Sequence, residues 1–194
     1  MDFDLLFEEF PKRIIPYDYD AYAKNSGRYE MVTTNCITGC AEYFEEKSDP
    51  ERIIDIVRAS SSLPFVTPIS YVDGRPMLDG GIADSIPVVR ATEQGFDNCL
   101  VVLTRNAGYR KSAKPSFVPW FAYRRYPMLQ EAIRHRNAEY NKQMELVERL
   151  ESEGRITVIR PERPIEVGRM ERDTHRLLAL YNEGYDIASK VEIG

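Results

Sequence analysis

The chain has 194 residues and a net charge of −5, with 43% hydrophobic and 29% charged residues. This suits a single domain over residues 1–194 with a real core. No apolar run approaches the ~20 residues of a helical membrane span, and the negative charge argues against general nucleic-acid binding.

The first ten residues, Met1 to Phe10, carry acids where a secretory leader needs bases. The expectation is a cytoplasmic protein. Asp4–Phe10 reads as a short helix stopped by Pro11, and residues 11–28 read as irregular. Tyr29–Cys36 alternates and contains Val32, Thr33 and Thr34, which predicts a strand. Thr38-Gly39 turns the chain, and Cys40–Glu46 returns as a second strand. Ser48-Asp49-Pro50-Glu51 marks a helix start, with Ser48 as the cap and Pro50 in the first turn. That helix carries Ile53, Ile54, Ile56 and Val57 and ends at Ala59-Ser60.

A short hairpin with its turn at Asp73-Gly74 leads into Leu78-Asp79-Gly80-Gly81-Ile82-Ala83-Asp84. Ser85 reads as a second helix cap, with Pro87 opening a helix that ends at Gly95. Cys99–Thr104 is a continuous apolar run, as in a strand buried on both faces of a parallel sheet. An aromatic-rich loop follows, then a long helix over Tyr126–Glu153. Ile156–Arg160 is a further short strand, and Asp173 caps a final helix bearing Leu177, Leu180, Tyr181 and Ile187. Alternating strands and helices predict an α/β fold with a largely parallel sheet covered by helices in three layers. The unit that usually opens such a sheet is absent, so the fold looks incomplete on its N-terminal side. A small sheet with an exposed edge favours dimer formation.

Cys36, Cys40 and Cys99 cannot all pair, and they read as small buried hydrophobes in a reducing compartment. Asp73, Asp79 and Asp84 do not have the spacing of a calcium loop. Ser60, Ser61 and Ser62 lack the glycines of a tight nucleophile elbow and read as polar capping of a helix end. His135 and His175 read as solvated helix residues.

Asp79 is the residue that points to chemistry. It stands at a strand-to-loop junction before two glycines, where a carboxylate can face a cleft. Read alone it is better taken as an Asx-type turn residue bonding its own backbone. Its neighbours add to this. Thr33-Thr34-Asn35-Cys36-Ile37-Thr38-Gly39, Ala59-Ser60-Ser61-Ser62-Leu63-Pro64, Asp79-Gly80-Gly81 followed by Ile86-Pro87-Val88, and Val101-Val102-Leu103-Thr104-Arg105 stand in that order. Together they resemble the patatin-like phospholipases, and most closely a bacterial branch of that family. The resemblance is close over about residues 1–110.

The resemblance implies a serine acyl hydrolase of lipid esters or phospholipids that uses a Ser-Asp dyad and needs no metal or cofactor. Matched by motif, Asp79 is the dyad aspartate that takes the serine proton. Gly80 and Gly81 let the backbone turn so that the carboxylate faces the serine. The family's serine lies in Gly-x-Ser-x-Gly, and no such pentapeptide, nor a Gly-rich oxyanion loop, occurs in these 194 residues. The expectation is the C-terminal portion of a larger patatin-like domain, inactive alone. The alternative is a truncated, non-catalytic module that binds a membrane or a protein.

From Arg105 to Arg136 the chain carries eight bases against one acid, Glu131, among several aromatic residues. A loop folded over its own core is one reading. A contact with an anionic membrane surface through Arg110, Lys111, Trp120, Phe121, Arg124 and Arg125 is a second, making the protein peripheral at the membrane. Stacking on single-stranded nucleic acid is a third and stands behind both.

Overall fold

The computed structural model describes residues 2–96, 98–168 and 171–191. The chain divides into two compact units, Met1–Ser85 with Ala113–Tyr140, and Ile86–Ser112 with Asn141–Gly194.

The first unit is built on a four-stranded sheet: β1 Glu30–Asn35, β2 Ala41–Glu45, β3 Ser70–Val72 and β4 Arg75–Asp79, in the order β2-β1-β4-β3. Every neighbouring pair in it is antiparallel. The largely parallel sheet expected from the sequence is therefore corrected. The physical reason lies in the connections. Residues 36–40 and the two residues Asp73-Gly74 are too short for the crossover that parallel strands require. Asp73 and Gly74 both adopt left-handed backbone, φ 52° and 73°, as a two-residue hairpin turn demands. Gly39, at φ 71°, closes the other turn, and a Cβ there would stand 2.6 Å from the Met128 carbonyl oxygen.

Period-two alternation sends neighbouring side chains to opposite faces. Met77 joins Met31, Phe44 and Val72 under Ile56 and Ala59 of a helix at Pro50–Ser60. Leu78, the next residue, joins Cys36 and Ile82 under Leu129 and Ile133 at the start of a long helix, Pro127–Ser152. In chain order the α-helices are α1 Tyr19–Lys24, α2 Pro50–Ser60, α3 Val88–Glu93, α4 Pro127–Ser152 and α5 Thr174–Ala188.

Several local expectations change. Pro11 does not stop the first helix; a π-helical segment runs from Leu5 to Ile14 with Pro11 inside it. Its longer-reaching bonds, such as Ile15 N–H to the Phe10 carbonyl, do not need an amide hydrogen from Pro11. Glu8 and Lys12 tie this segment to α2 through Arg58 and Glu51. The supposedly irregular stretch contains α1, capped by Asp18, whose carboxylate accepts from Ala21 N–H at 2.8 Å. Asp49, not Ser48, caps α2 by accepting from the Glu51 and Arg52 amides; Ser48 instead donates to Glu46 at 2.8 Å. Cys40 is exposed and Cys99 half-exposed, so only Cys36 is the buried apolar thiol expected.

In the second unit β5 Cys99–Val102 and β6 Ile156–Ile159 pair in parallel. β5 is not buried on both faces: its accessibility alternates, and Val102 is 68% exposed. Two strands alone do not give an interior strand. Tyr140 from the first unit and Met144, Val147 and Leu150 from the second continue the buried stripe of α4 at helical spacing.

Arg52 fastens the first unit at one corner. Its guanidinium grips both Asp73 oxygens at 2.9 Å and reaches Glu46 at 2.6 Å, joining α2 to the β3–β4 turn and to the end of β2. The Ser48 amide, the Ser48 hydroxyl and Arg52 together hold the Glu46 carboxyl down at about 2, against an ordinary 4.5. A depressed carboxyl contributes stability that is fully present above 4.5 and is lost as pH falls toward 2. Glu46→Gln should therefore flatten the fall in melting temperature between neutral pH and pH ~3. Melting curves of equal steepness against pH for both proteins would refute this assignment.

The thiols offer a second check. Burial pushes the Cys36 thiol up to about 12, while Cys40 is exposed. Thiolate is the reactive form, so iodoacetamide should label Cys40 in the native protein and spare Cys36 until it unfolds. Mass spectrometry of the labelled peptides reads the outcome.

Candidate active site

Asp79 is the last residue of β4 and the cap of a single 3₁₀ turn, Gly80–Ile82. It pairs with Thr33 in the β1–β4 ladder. Its amide donates to the Ser62 carbonyl at 2.8 Å, which ties the loop after α2 to the end of β4. Its carbonyl accepts from the buried Thr34 hydroxyl at 2.9 Å, and the same hydroxyl oxygen accepts from Ala83 N–H at 3.2 Å. The half-buried carboxylate accepts from Gly81 N–H at 2.7 Å.

This last bond is an Asx turn, so the local role considered for Asp79 is present. The glycines serve differently from the expectation. Neither has left-handed backbone, so conformational freedom is not what they supply. A Cβ on Gly80 would fall well inside contact distance of the Val32 carbonyl on β1, and one on Gly81 would stand 2.9 Å from the Asp79 carboxylate. The pair permits close approach. Gly80 lets the turn lie against the central strand, and Gly81 leaves room for the carboxylate above its own amide.

The other acids have separate roles. Asp84 accepts from the Tyr43 hydroxyl at 2.6 Å, so it links the turn to β2. The cap expected at Ser85 is corrected too. Its hydroxyl donates to the Gly81 carbonyl at 2.8 Å, and α3 begins only at Val88, after Pro87. Asp73 is held by Arg52, which with Arg75 keeps its carboxyl below the usual range. Among the described residues no group of three or more His, Cys, Asp or Glu side chains is placed to hold a metal ion.

Ser62 is buried, and its hydroxyl bonds the Arg58 carbonyl and the Ser70 hydroxyl, both at 2.8 Å. It closes the end of α2, as the capping expectation for this serine run has it. His135 bonds Glu131 on its own helix at 2.8 Å, and His175 belongs to the second unit.

The basic segment is shared between the two units. Arg110 and Lys111 lie in the second. There Arg110 forms an ion pair with Glu148, and the Lys111 backbone is clamped by Asn141 through two bonds of 2.9 and 3.0 Å. Trp120, Phe121, Arg124 and Arg125 lie together in one turn of the first. Trp120 is 77% and Phe121 63% exposed, and the Arg124 guanidinium sits 5.7 Å from the Trp120 ring centre. Sequence reasoning missed the partner of this turn, Phe65. Its amide donates to the Tyr123 hydroxyl at 2.8 Å, and the two rings lie 5.3 Å apart.

Two open cavities were not anticipated either. One of about 500 Å³ is walled by Phe7, Tyr17, Tyr19, Tyr22, Ile54 and Val57, among others. A second of about 420 Å³ lies between Val102, Leu103 and Ile159 and residues of α5. Asp79 lines neither.

The Asp79 turn and its supporting strand fall inside a segment that matches a known family. Residues 11–92 match the family model of patatin-like phospholipases. Over this segment, less than half of the chain, the protein is similar to the patatin-like phospholipases. That family is one of lipid acyl hydrolases. The patatin-like segment holds the whole four-stranded sheet, α2 and the Asp79 turn. Residues 126–191 match a second model, a domain of unknown function, DUF6363. A relative, the uncharacterised protein YjjU of Escherichia coli (strain K12), is 29% identical over 115 residues. The matched stretch is 58% of this chain and spans about a third, 32%, of that relative.

The packing at Gly80 carries a direct test. Gly80→Ala should push the turn off β1 and cost at least about 2 kcal/mol, as overpacked sites do, a fall in melting temperature of roughly 4–8 °C. Gly81→Ala meets only a carboxylate tip and should cost less. A Gly80→Ala protein that melts with the parent would refute the close-approach account.

Proposed function

We propose that the chain forms part of a patatin-like lipid acyl hydrolase in which Asp79 is the acid-base half of a Ser-Asp dyad. The observation that carries this reading is the Asp79 turn. A half-buried carboxylate there is oriented by the Gly81 amide, while the β1 Thr34 hydroxyl holds the Asp79 main-chain carbonyl, inside the patatin-like segment. In the reaction a serine hydroxyl oxygen attacks the ester carbonyl while its proton passes to Asp79. The carbonyl–oxygen bond to the alcohol then breaks, and the leaving alcohol takes that proton. Water hydrolyses the acyl-enzyme by the same route, with its proton passing through Asp79 and back to the serine. The substrate class is a lipid ester such as a phospholipid, and the setting is cytoplasmic. Residues 1–194 then act as the portion of a larger patatin-like domain that brings the aspartate.

One observation favours a second reading. These 194 residues contain no Gly-x-Ser-x-Gly, so the chain alone lacks the nucleophile and serves as a non-catalytic patatin-like module.

A p-nitrophenyl ester assay separates the two. In a protein that joins this chain to a Gly-x-Ser-x-Gly segment encoded in frame before Met1, Asp79→Asn should lower kcat by about 10²–10⁴-fold, the range of a lost general acid-base. The 194-residue chain should show no turnover above buffer. Hydrolysis by the short chain that survives Asp79→Ala would overturn the hydrolase reading of this site. Absence of any such upstream segment would leave the binding module.

A further inference from the structure

We propose that the loops at residues 63–67 and 117–125 form one rigid platform that docks the first unit on an anionic lipid surface. The inference rests on the lipid-hydrolase reading only for the choice of a lipid as partner.

The platform is a construction of two distant stretches of chain. Phe65 and Tyr123 are 58 residues apart, and both hold left-handed backbone, φ 67° and 55°. That region is a genuine outlier for bulky side chains, and it persists only where surroundings over-determine it. Here they do. The Phe65 amide is held by the Tyr123 hydroxyl, and the two rings pack at a tilt of 46°. The Phe65 loop is braced by Thr67, whose amide and hydroxyl both donate to the Leu63 carbonyl at 3.1 Å. The other loop is braced by Ala122 N–H on the Pro119 carbonyl at 3.0 Å and by Gln130 on the Ala122 carbonyl at 2.6 Å.

Two strained residues pinned to each other leave large apolar side chains outside. Phe65, Val66, Trp120 and Phe121 are each more than half exposed. A fold has no reason of its own to fix such groups in solvent, and contiguous exposed apolar groups mark interaction sites. The adjoining charge selects the partner. Residues 113–130 contain no Asp or Glu, and Arg124 and Arg125 are both exposed. Rings that can enter the headgroup region beside bases that meet anionic headgroups suit a membrane surface. The Phe65–Tyr123 pair also fixes where such a surface would lie. Tyr123 packs on the same core cluster as Leu78 and Ile82, which flank the Asp79 turn, and the Phe65 loop begins beside Ser62, whose carbonyl holds the Asp79 amide.

Flotation of the 194-residue chain tests this, with vesicles of phosphatidylcholine alone and of phosphatidylcholine mixed with an equal amount of phosphatidylserine. The chain should float with the mixed vesicles and not with the neutral ones. Arg124→Glu with Arg125→Glu should weaken that binding roughly 25-fold or more, since each base near an anionic leaflet contributes about 1 kcal/mol and 1.4 kcal/mol is tenfold. Trp120→Ser with Phe121→Ser should weaken it as well. Tyr123→Phe, which removes only the hydroxyl that holds Phe65, should weaken it several-fold with circular dichroism unchanged. Arg149→Glu, an exposed base on α4 outside the platform, should leave it unaltered. Equal binding to neutral vesicles would overturn the proposal. So would parental binding by both double variants, or binding to single-stranded oligonucleotide in place of vesicles. Ester turnover is not read in this experiment. A chain that floats while the longer protein fails to hydrolyse refutes only the hydrolase reading, and an active longer protein that does not float refutes only this one.

Discussion

The first unit depends on how closely the Asp79 turn lies against β1. Gly80 sits where any side chain would collide with the Val32 carbonyl. That approach puts the Thr34 hydroxyl between two backbone groups of the turn, the Asp79 carbonyl and the Ala83 amide. A buried hydroxyl left unsatisfied costs on the order of 1–3 kcal/mol, so the turn and the strand hold each other in place. The two hydrophobic clusters on either side of the sheet meet at this point, because Met77 and Leu78, one on each face, immediately precede Asp79. The direction of the carboxylate is therefore set by core packing and not by the loop alone.

The corner at Arg52 works by a different economy. Its partners are partly exposed, and surface ion pairs are worth little individually. Arg52 differs in geometry: a two-point grip on Asp73 and a third contact to Glu46 make a fork that a lysine could not reproduce. Glu46 in turn collects the Ser48 amide and hydroxyl. One guanidinium thus links a strand end, a helix start and a hairpin turn. Those three elements also bring Phe44, Ile56 and Val72 into one cluster.

What could be read in the sequence was what neighbouring residues decide. The Asp73-Gly74 hairpin, the helix with Pro50 in its first turn, the stripe of α4 and the Asp173 cap of α5 all rest on local rules, and the motif order led to the patatin-like segment. Where two residues could perform one task, local rules were insufficient. Ser48 and Asp49 are both good caps, and Glu46 decides between them by taking the Ser48 hydroxyl. Ser85 was read as a cap, but the Gly81 carbonyl takes its hydroxyl. The apolar run at Cys99–Thr104 has the composition of an interior strand, yet burial depends on how many strands flank it, and composition does not carry that. The parallel sheet was expected from the alternation of strands and helices, while the short turns that forbid it were already visible. Phe65 and Tyr123 had no signal at all, since nothing local marks a bond between residues 58 positions apart.

The turn role and the catalytic role of Asp79 first looked like competing explanations. In the proposed dyad the first is a means to the second. A carboxylate that accepts its own i+2 amide has already lost most of its freedom in folding. Under the proposed dyad it needs no further ordering to accept a proton from a hydroxyl. Catalytic groups gain most when their reorganisation is completed before the reaction, and here that cost falls on the fold. Gly81 is the residue that permits it, because a Cβ there would crowd the carboxylate, 2.9 Å from its oxygen. The Asp-Gly-Gly run therefore has a physical reading beyond its family resemblance: the first glycine seats the turn on the sheet, and the second keeps the acid in position.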